Sequence, residues 1–258
     1  MISKIKTFSC GFCKQFEKMA CKSGGWRIKK FPAKCFLISL PDGYMLFDAG
    51  YPADFNDTMN RWPYILYKRL VPACIDPQET CLNQLKKENI NAEDIKYIFI
   101  SHFHADHIGA LRDFPQAGFI CSKREYHKLK TLNVRGQLLK GFVNKFLPED
   151  FEGRVVYIEE LQKTKDTIFS LRSELPFIKD IFAVPLPGHT TGQFGLWLPE
   201  ENTLLAADSA WTKENYSDEI LPHWIALRFC EDKKAFCETL KLLGNLKDIK
   251  ILLSHGEE

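Results

Sequence analysis

Residues 101–110 read SHFHADHIGA and follow the apolar run Tyr97-Ile98-Phe99-Ile100. Within six positions the stretch holds an aspartate and three of the seven histidines of the chain. A loop that follows a buried strand can point alternate side chains into one cavity. Imidazole and carboxylate groups are ligands that suit zinc and similar divalent ions. The stretch therefore predicts a metal site at a strand end rather than a solvated loop rich in histidine.

Three other segments place a metal-competent side chain directly after an apolar run. They are His189 after residues 181–184, Asp208 after residues 204–207, and His255 after residues 251–253. Taken singly, such a residue is more often a capping or core residue. Because all three follow predicted strands, we expect them to converge with the histidine-rich stretch on one rim of the sheets. The candidate metal ligands are His102, His104, Asp106, His107, His189, Asp208 and His255.

Alternating apolar runs and turn signals predict an α/β fold with two sheets flanked by helices. Residues 36–40 and 44–47 flank Pro41-Asp42-Gly43 and predict a β-hairpin. Further strands are predicted at residues 95–100, 155–158, 194–198, 203–207 and 249–253. Helices are predicted at residues 80–88, 122–130 with Ser122 as the N-cap, and 232–243.

Composition limits the classes of partner. The chain has 258 residues, 35 basic against 33 acidic residues and 45% hydrophobic residues, which is typical of one globular domain. The sequence shows no basic stripe, so we expect a small-molecule substrate and no nucleic-acid partner. It also shows neither a signal peptide nor an apolar segment of membrane-spanning length, which predicts a cytoplasmic protein without a membrane partner.

Nine cysteines, an odd number, fit a reducing compartment better than a disulfide framework. Cys10-x-x-Cys13, followed by Cys21, is a cysteine pattern that can have a function. Such a pair can hold zinc or exchange thiols, but this chain shows no second cysteine or histidine pair to complete a zinc knuckle. The alternative is that these are buried or semi-exposed thiols.

With these residues in place, the sequence resembles the metallo-β-lactamase superfamily over nearly its whole length. The H-x-H-x-D-H signature of that family stands here as HFHADH at residues 102–107. The resemblance implies a four-layer αββα sandwich formed by a single domain over residues 1–258, with a metal centre at one edge. It also implies that Asp48 supports the histidine loop without touching metal.

The same resemblance implies two divalent metal ions, with zinc as the expected element. The first is implied to bind His102, His104 and His189, and the second Asp106, His107 and His255, with Asp208 bridging them. Two ions about 3.5–4 Å apart share a water, lower its pKa and present a bridging hydroxide as the nucleophile for hydrolysis. Asp106 is the predicted proton shuttle and hence a catalytic residue.

Within the superfamily, the chain is most similar to the quorum-quenching N-acyl homoserine lactonases. Residues 208–216, DSAWTKENY, resemble the lactonase stretch around the bridging aspartate. Those lactonases typically place a tyrosine three residues after that aspartate, where this chain has Trp211. An indole donates one hydrogen bond but has no acidic hydroxyl. We predict Trp211 as a second catalytic residue, facing a lactone or ester.

Two alternatives stay open on the sequence alone. One is a metallohydrolase of another class, acting on a phosphodiester or a thioester. The other is a non-hydrolytic metal-binding sensor, or a redox protein using Cys10 and Cys13. Residues 62–71 and 220–229 are rich in aromatic and aliphatic side chains. We interpret them as core packing or a homodimer contact, or else as an apolar trough for an acyl chain.

Overall fold

The strands follow the two-sheet arrangement that the sequence predicts. A computed structural model describes residues 5–176 and 178–256, and within them lie thirteen strands. These are β1 (Ile5–Phe16), β2 (Ile28–Leu40), β3 (Gly43–Phe47), β4 (Ala73–Cys74), β5 (Ile95–Phe99), β6 (Gly118–Cys121), β7 (Val155–Tyr157), β8 (Lys163–Asp166), β9 (Ser170–Glu174), β10 (Phe182–Pro185), β11 (Phe194–Leu198), β12 (Thr203–Ala207) and β13 (Lys250–Leu253). In these residues one sheet has the order β4-β1-β2-β3-β5-β6-β7 and the other β13-β12-β11-β10-β9-β8.

Short helices connect the strands. They are α1 (Glu17–Ala20), α2 (Phe55–Met59), α3 (Ile65–Leu70), α4 (Cys81–Lys87), α5 (Ala105–Ile108), α6 (Lys123–Thr131), α7 (Val134–Leu139), α8 (Glu214–Ser217), α9 (Trp224–Leu227) and α10 (Lys233–Asn245). Among the helices described, none combines the length and the apolar character needed to cross a bilayer.

The chain divides into two compact units. The first comprises the N-terminal stretch up to Lys14 together with Pro32–Tyr157, and the second comprises Gln15–Phe31 and the chain from Ile158 onward. Each unit has its own buried apolar cluster. The cluster of the first unit includes Phe55, Phe103, Phe114, Phe119 and Phe146, and that of the second includes Leu186, Trp197, Leu204, Phe236 and Leu240. Each such side chain contributes about 1.5–3 kcal/mol of burial free energy.

The predicted hairpin is confirmed, since β2 and β3 pair antiparallel with Phe36 opposite Phe47. The predicted helix starts also hold. The Ser122 hydroxyl accepts from the Glu125 N–H at 3.3 Å, and Asp232 Oδ1 accepts from the Ala235 N–H at 3.0 Å. Each cap satisfies a backbone donor that the first turn of a helix leaves open.

Parallel pairing brings strand ends together in the first unit. β3 and β5 run parallel, with Phe47 opposite Phe99. Because the carboxyl ends of parallel strands share one edge of a sheet, Asp48 and Ser101 emerge side by side. Ser101 leads directly into the histidine-rich stretch.

The second unit repeats this arrangement. β12 and β13 run parallel, with Ala207 opposite Leu253, so Asp208 and His255 leave the sheet at one edge. β10 and β12 are both antiparallel to β11, and they therefore point the same way. His189, in the loop after β10, joins the other two at that edge.

Gly188, in the loop before His189, should tolerate substitution by alanine less well than Gly153 does. Gly188 has φ +136°, and a Cβ at this position would overlap the backbone N and Cα of Phe236. Gly188→Ala should therefore lower the free energy of unfolding by about 3 kcal/mol, measured by chemical denaturation. A Cβ added at Gly153 would meet no heavy atom within 4 Å, so Gly153→Ala should change stability by under about 0.5 kcal/mol. Equal losses in the two variants would contradict the packing at Gly188.

Candidate metal centre

The carboxylate of Asp48 organises the histidines of the first unit. Asp48 is fully buried at the end of β3. Its Oδ1 accepts from the Ser101 N–H at 2.9 Å, and its Oδ2 accepts from the Ser101 hydroxyl at 2.8 Å. Nδ1 of His107 lies 2.7 Å from Oδ2. Because an ionised carboxylate only accepts, His107 carries its proton on Nδ1 and its lone pair on Nε2, as a metal ligand requires.

Ser101 extends this arrangement to a second histidine. Its Oγ lies 3.0 Å from Nδ1 of His102. Since the hydroxyl proton is donated to Asp48, the Oγ can only accept from the His102 Nδ1–H. His102 thereby also has its lone pair on Nε2. Sequence reasoning named Asp48 but missed Ser101, although its place between the strand and the first histidine was a usable signal.

The backbone at Asp48 is constrained as well. Asp48 has φ +60°, in the left-handed region that few residues other than glycine adopt. Its N–H donates to the Phe99 carbonyl at 2.8 Å, and the Ala49 N–H donates to the His107 carbonyl at 2.8 Å. Burial raises the pKa of Asp48, while His107 and Ser101 oppose that rise. The carboxylate is thus held in place from both its backbone and its side chain.

The first unit brings its four predicted ligands together. The ring centroids of His102 and His104 are 4.5 Å apart, and those of His102 and His107 are 4.1 Å apart. Asp106 Oδ2 lies 3.7 Å from Nε2 of His107. His102 and His107 are buried, whereas His104 and Asp106 are partly exposed. The one-turn helix α5 begins directly after His104 and carries Asp106 and His107, so its turn brings their side chains close to the other histidines.

In the second unit, Asp208 lies close to both predicted histidine ligands. Its Oδ2 is 3.4 Å from Nε2 of His189 and 3.2 Å from Nε2 of His255. Two ligands about 2.1 Å from one tetrahedral ion lie about 3.4 Å apart. The distances from Asp208 to His189 and to His255 therefore suit pairs of atoms that bind the same cation. The donor set of imidazole and carboxylate suits zinc.

Backbone hydrogen bonds fix the loops that carry these three residues. The N–H of Glu231 donates to the His189 carbonyl at 3.0 Å, which ties the His189 loop to the segment just before α10. Ala207, just before Asp208, has φ +48°, and its carbonyl accepts from the Ser254 N–H at 3.3 Å. A left-handed alanine is strained, and such strain is typical of functional sites.

Trp211 lies beside one of the predicted ligands. Its ring centroid is 5.7 Å from that of His189, in an edge-on arrangement at 86°. The buried side chain of Asn215 accepts from the N–H groups of Trp211 and Thr212 at 3.0 and 3.1 Å. Its amide nitrogen donates to the carbonyls of Ala20 and Ile220. Asn215 thus holds the Trp211 loop, a role that the sequence did not reveal.

The two aromatic segments divide between core and surface. In residues 62–71, Tyr64 and Tyr67 are buried, whereas Trp62 is 77% exposed. The side chain of Leu70, in the same segment, lies outside the described residues. In residues 220–229, Trp224 and Phe229 are 61% and 65% exposed. Core packing therefore accounts for the tyrosines but not for these three exposed rings.

The structure places the three cysteines of this pattern in different surroundings. Cys10 is fully buried, and its Sγ lies 3.2 Å from that of Cys35. Cys13 is half-buried and belongs to no potential metal-binding group in the part of the chain that the structure describes. Cys21 lies in the second unit, with its Sγ 3.1 Å from the Ser23 hydroxyl.

Similar proteins support the relationship suggested by the histidine motif. The chain is 27% identical over 233 residues to N-acyl homoserine lactonase AttM of Rhizobium radiobacter, covering 89% of this chain and 83% of AttM. An N-acyl homoserine lactone hydrolase, solved with N-hexanoyl-L-homoserine at its catalytic metal centre, is similar with a TM-score of 0.71 and 18% identity, covering 99% of this chain and 94% of that one. The dizinc quorum-quenching lactonase AidC is similar with a TM-score of 0.68 and 15% identity, covering 98% and 87%.

The fold of these structures extends over almost all of the present chain, which confirms the predicted α/β metallo-β-lactamase fold with two sheets and helices. The sequence profile of the metallo-β-lactamase superfamily matches residues 28–255, a range that includes all seven candidate ligands. The chain therefore belongs to the metallo-β-lactamase superfamily.

Proposed function

We propose that this chain is a metal-dependent hydrolase that opens the lactone ring of N-acyl homoserine lactones. The observation that carries the proposal is the position of Asp208, whose Oδ2 lies within 3.4 Å of His189 Nε2 and 3.2 Å of His255 Nε2. A carboxylate that lies between two histidine ligands can be a ligand to each of two cations. The similarity to lactonases such as AttM supports the choice of substrate.

The proposed metal ligands follow the family pattern. By that pattern, His102, His104 and His189 would hold one cation, Asp106, His107 and His255 would hold the other, and Asp208 would be a ligand to both. Three features support this assignment: the tautomers set by Asp48 and Ser101, the grouping of the four ligands in the first unit, and the spacings around Asp208. Zinc is the proposed element, because the donors are imidazole and carboxylate and AidC is a dizinc lactonase.

With two cations held there, the site would have an activated water and a means of polarising the substrate carbonyl. The side chains of this chain supply orientation and proton transfer. Asp48 holds His107 in the ligating tautomer, and Ser101 does the same for His102. Asp106 is partly exposed, and we assign it the transfer of a proton to the departing ring oxygen. Trp211, next to His189, is assigned to the substrate pocket as a hydrogen-bond donor.

We also infer that both compact units belong to one domain, since the family profile spans residues 28–255, and that the enzyme is cytoplasmic and acts on a small molecule. The odd total of nine cysteines supports a reducing compartment rather than a disulfide framework. The near balance of 35 basic and 33 acidic residues supports a small substrate rather than a nucleic acid.

The first test joins metal content to substrate range. Wild-type protein purified without chelator should contain about two metals per chain and hydrolyse a homoserine lactone series. Asp208→Asn should reduce the metal content and lower lactone turnover at least about a hundredfold, because the shared ligand is weakened. Asp218→Asn, at an exposed aspartate, is the control and should match the wild type.

A chromogenic phosphodiester measured on the same samples separates the substrate classes. Cleavage of the phosphodiester alone would keep the metal assignment and replace the substrate. A wild-type protein with less than one metal and no turnover would contradict the hydrolase.

A second test concerns Ser101. Ser101→Ala removes the hydroxyl that donates to Asp48 and accepts from His102. Loss of such a supporting contact should weaken metal affinity about 10- to 100-fold, measured by competition with a chelator. Ser173→Ala, at a buried serine on β9, should keep the wild-type affinity. Unchanged affinity in a folded Ser101→Ala protein would disprove the orienting role.

A third test exchanges the indole for a phenol. Trp211→Tyr should raise kcat for lactones about tenfold, because a phenolic hydroxyl adds about 1.4 kcal/mol of hydrogen bonding to the developing oxygen charge. The gain should appear in kcat rather than KM, since the contact strengthens in the transition state. Trp224→Tyr, at an exposed tryptophan, is the control. A fall in kcat, or no change, would count against a lactonase-like pocket.

A further inference from the structure

Three cysteines meet in the core of the first unit, and the proposed hydrolase does not use them. Cys10 is on β1, Cys35 is on β2, and Cys81 is the first residue of α4. The Sγ atoms of Cys10 and Cys35 are 3.2 Å apart, and those of Cys35 and Cys81 are 3.4 Å apart. All three side chains have 0% exposure. We call these residues the thiol cluster.

The thiol cluster has the geometry of a small metal site. All three sulfur atoms lie within 4.8 Å of one another. Three thiolates about 2.3 Å from a common ion in one plane lie about 4 Å apart. The observed separations of 3.2 and 3.4 Å are shorter than this, so an ion needs the sulfurs to spread by less than about 1 Å. Thiolate sulfur selects soft, thiophilic ions over hard ones.

Hydrogen bonding makes the three thiols of the cluster unequal. Hydrogen bonding with Cys35 and Cys81 lowers the pKa of Cys10, and hydrogen bonding with Cys10 raises the pKa values of Cys35 and Cys81. The Gln84 amide lies 3.7 Å from Cys10 Sγ as a further donor. A bound cation offsets part of the cost of placing thiolates in an apolar core.

We propose that Cys10, Cys35 and Cys81 form a trigonal thiolate site for a soft monovalent cation, for which Cu(I) is the fitting ion. Structural zinc takes four ligands. Within the described residues, no fourth histidine, cysteine, aspartate or glutamate joins this group. On binding, each S–H bond that breaks is replaced by an S–Cu bond and its proton leaves to solvent. Copper stays monovalent and no electron is transferred.

The test is a Cu(I) titration of reduced wild-type protein under anaerobic conditions, in competition with a chromophoric Cu(I) chelator. The protein should retain one equivalent with ultraviolet absorption from thiolate-to-copper charge transfer. Cys35→Ala should lose that equivalent and its absorption. Cys121→Ala removes another cysteine of 0% exposure, outside the thiol cluster, and should bind like the wild type. Because the readout is copper uptake, it is independent of the proposed hydrolase.

A second measurement needs no variant. X-ray absorption of the copper-loaded wild type should show three sulfur neighbours at about 2.3 Å, the length of a metal–thiolate bond. A nitrogen-dominated copper shell would contradict the proposal, since it would place the ion on histidines. So would equal uptake by wild type and Cys35→Ala, or tighter binding of Zn(II) than of Cu(I) at the three cysteines.

Discussion

A buried negative charge governs the arrangement of the histidine-rich segment. A carboxylate removed from water is costly unless donors surround it, and Asp48 has 0% exposure. All the donors described for it come from one stretch after β5, namely Ser101 and His107. Ser101 and His107 reach the Asp48 carboxylate because the chain turns after β5. The same turn orients the imidazole nitrogens. Electrostatic satisfaction and ligand orientation are thus one constraint.

Parallel pairing is what makes that constraint achievable. Asp48 and Ser101 are far apart in the chain and meet because β3 and β5 end at the same edge. Asp208 and His255 meet for the same reason at the ends of β12 and β13. Each unit therefore assembles its ligands from separate strands. Local sequence alone would not bring them together.

Sequence predicted the elements whose apolar pattern is strong. Phe194–Leu198 and Thr203–Ala207 are strands at the predicted bounds, because buried apolar runs end at turn residues. β8 and β9 were missed, because their partly exposed, charged residues carry no apolar periodicity. The 12-residue strand β1 was missed as well, since cysteine and glycine obscure its pattern.

The residues of the site also fall into those that the sequence predicted and those that it did not. Residue type and strand-end position were enough to nominate the seven candidate ligands. The parts played by Ser101 and Asn215 depend on which atoms they reach, and no residue spacing encodes that. The cysteines show the limit clearly. Spacing pointed to a pair three residues apart, whereas the sulfur contact of Cys10 is with a residue 25 positions away.

The left-handed backbone at Asp48 limits which residues can occupy this position. Glycine accepts φ +60° easily but offers no acceptor for His107 and Ser101. Asparagine also tolerates that backbone, yet it replaces one acceptor oxygen with a donor. Glutamate retains both oxygens but is longer and is not among the residues enriched in this conformation. Among these four residues only aspartate meets both demands, so each of the other three would disturb either the backbone at position 48 or the orientation of the histidines.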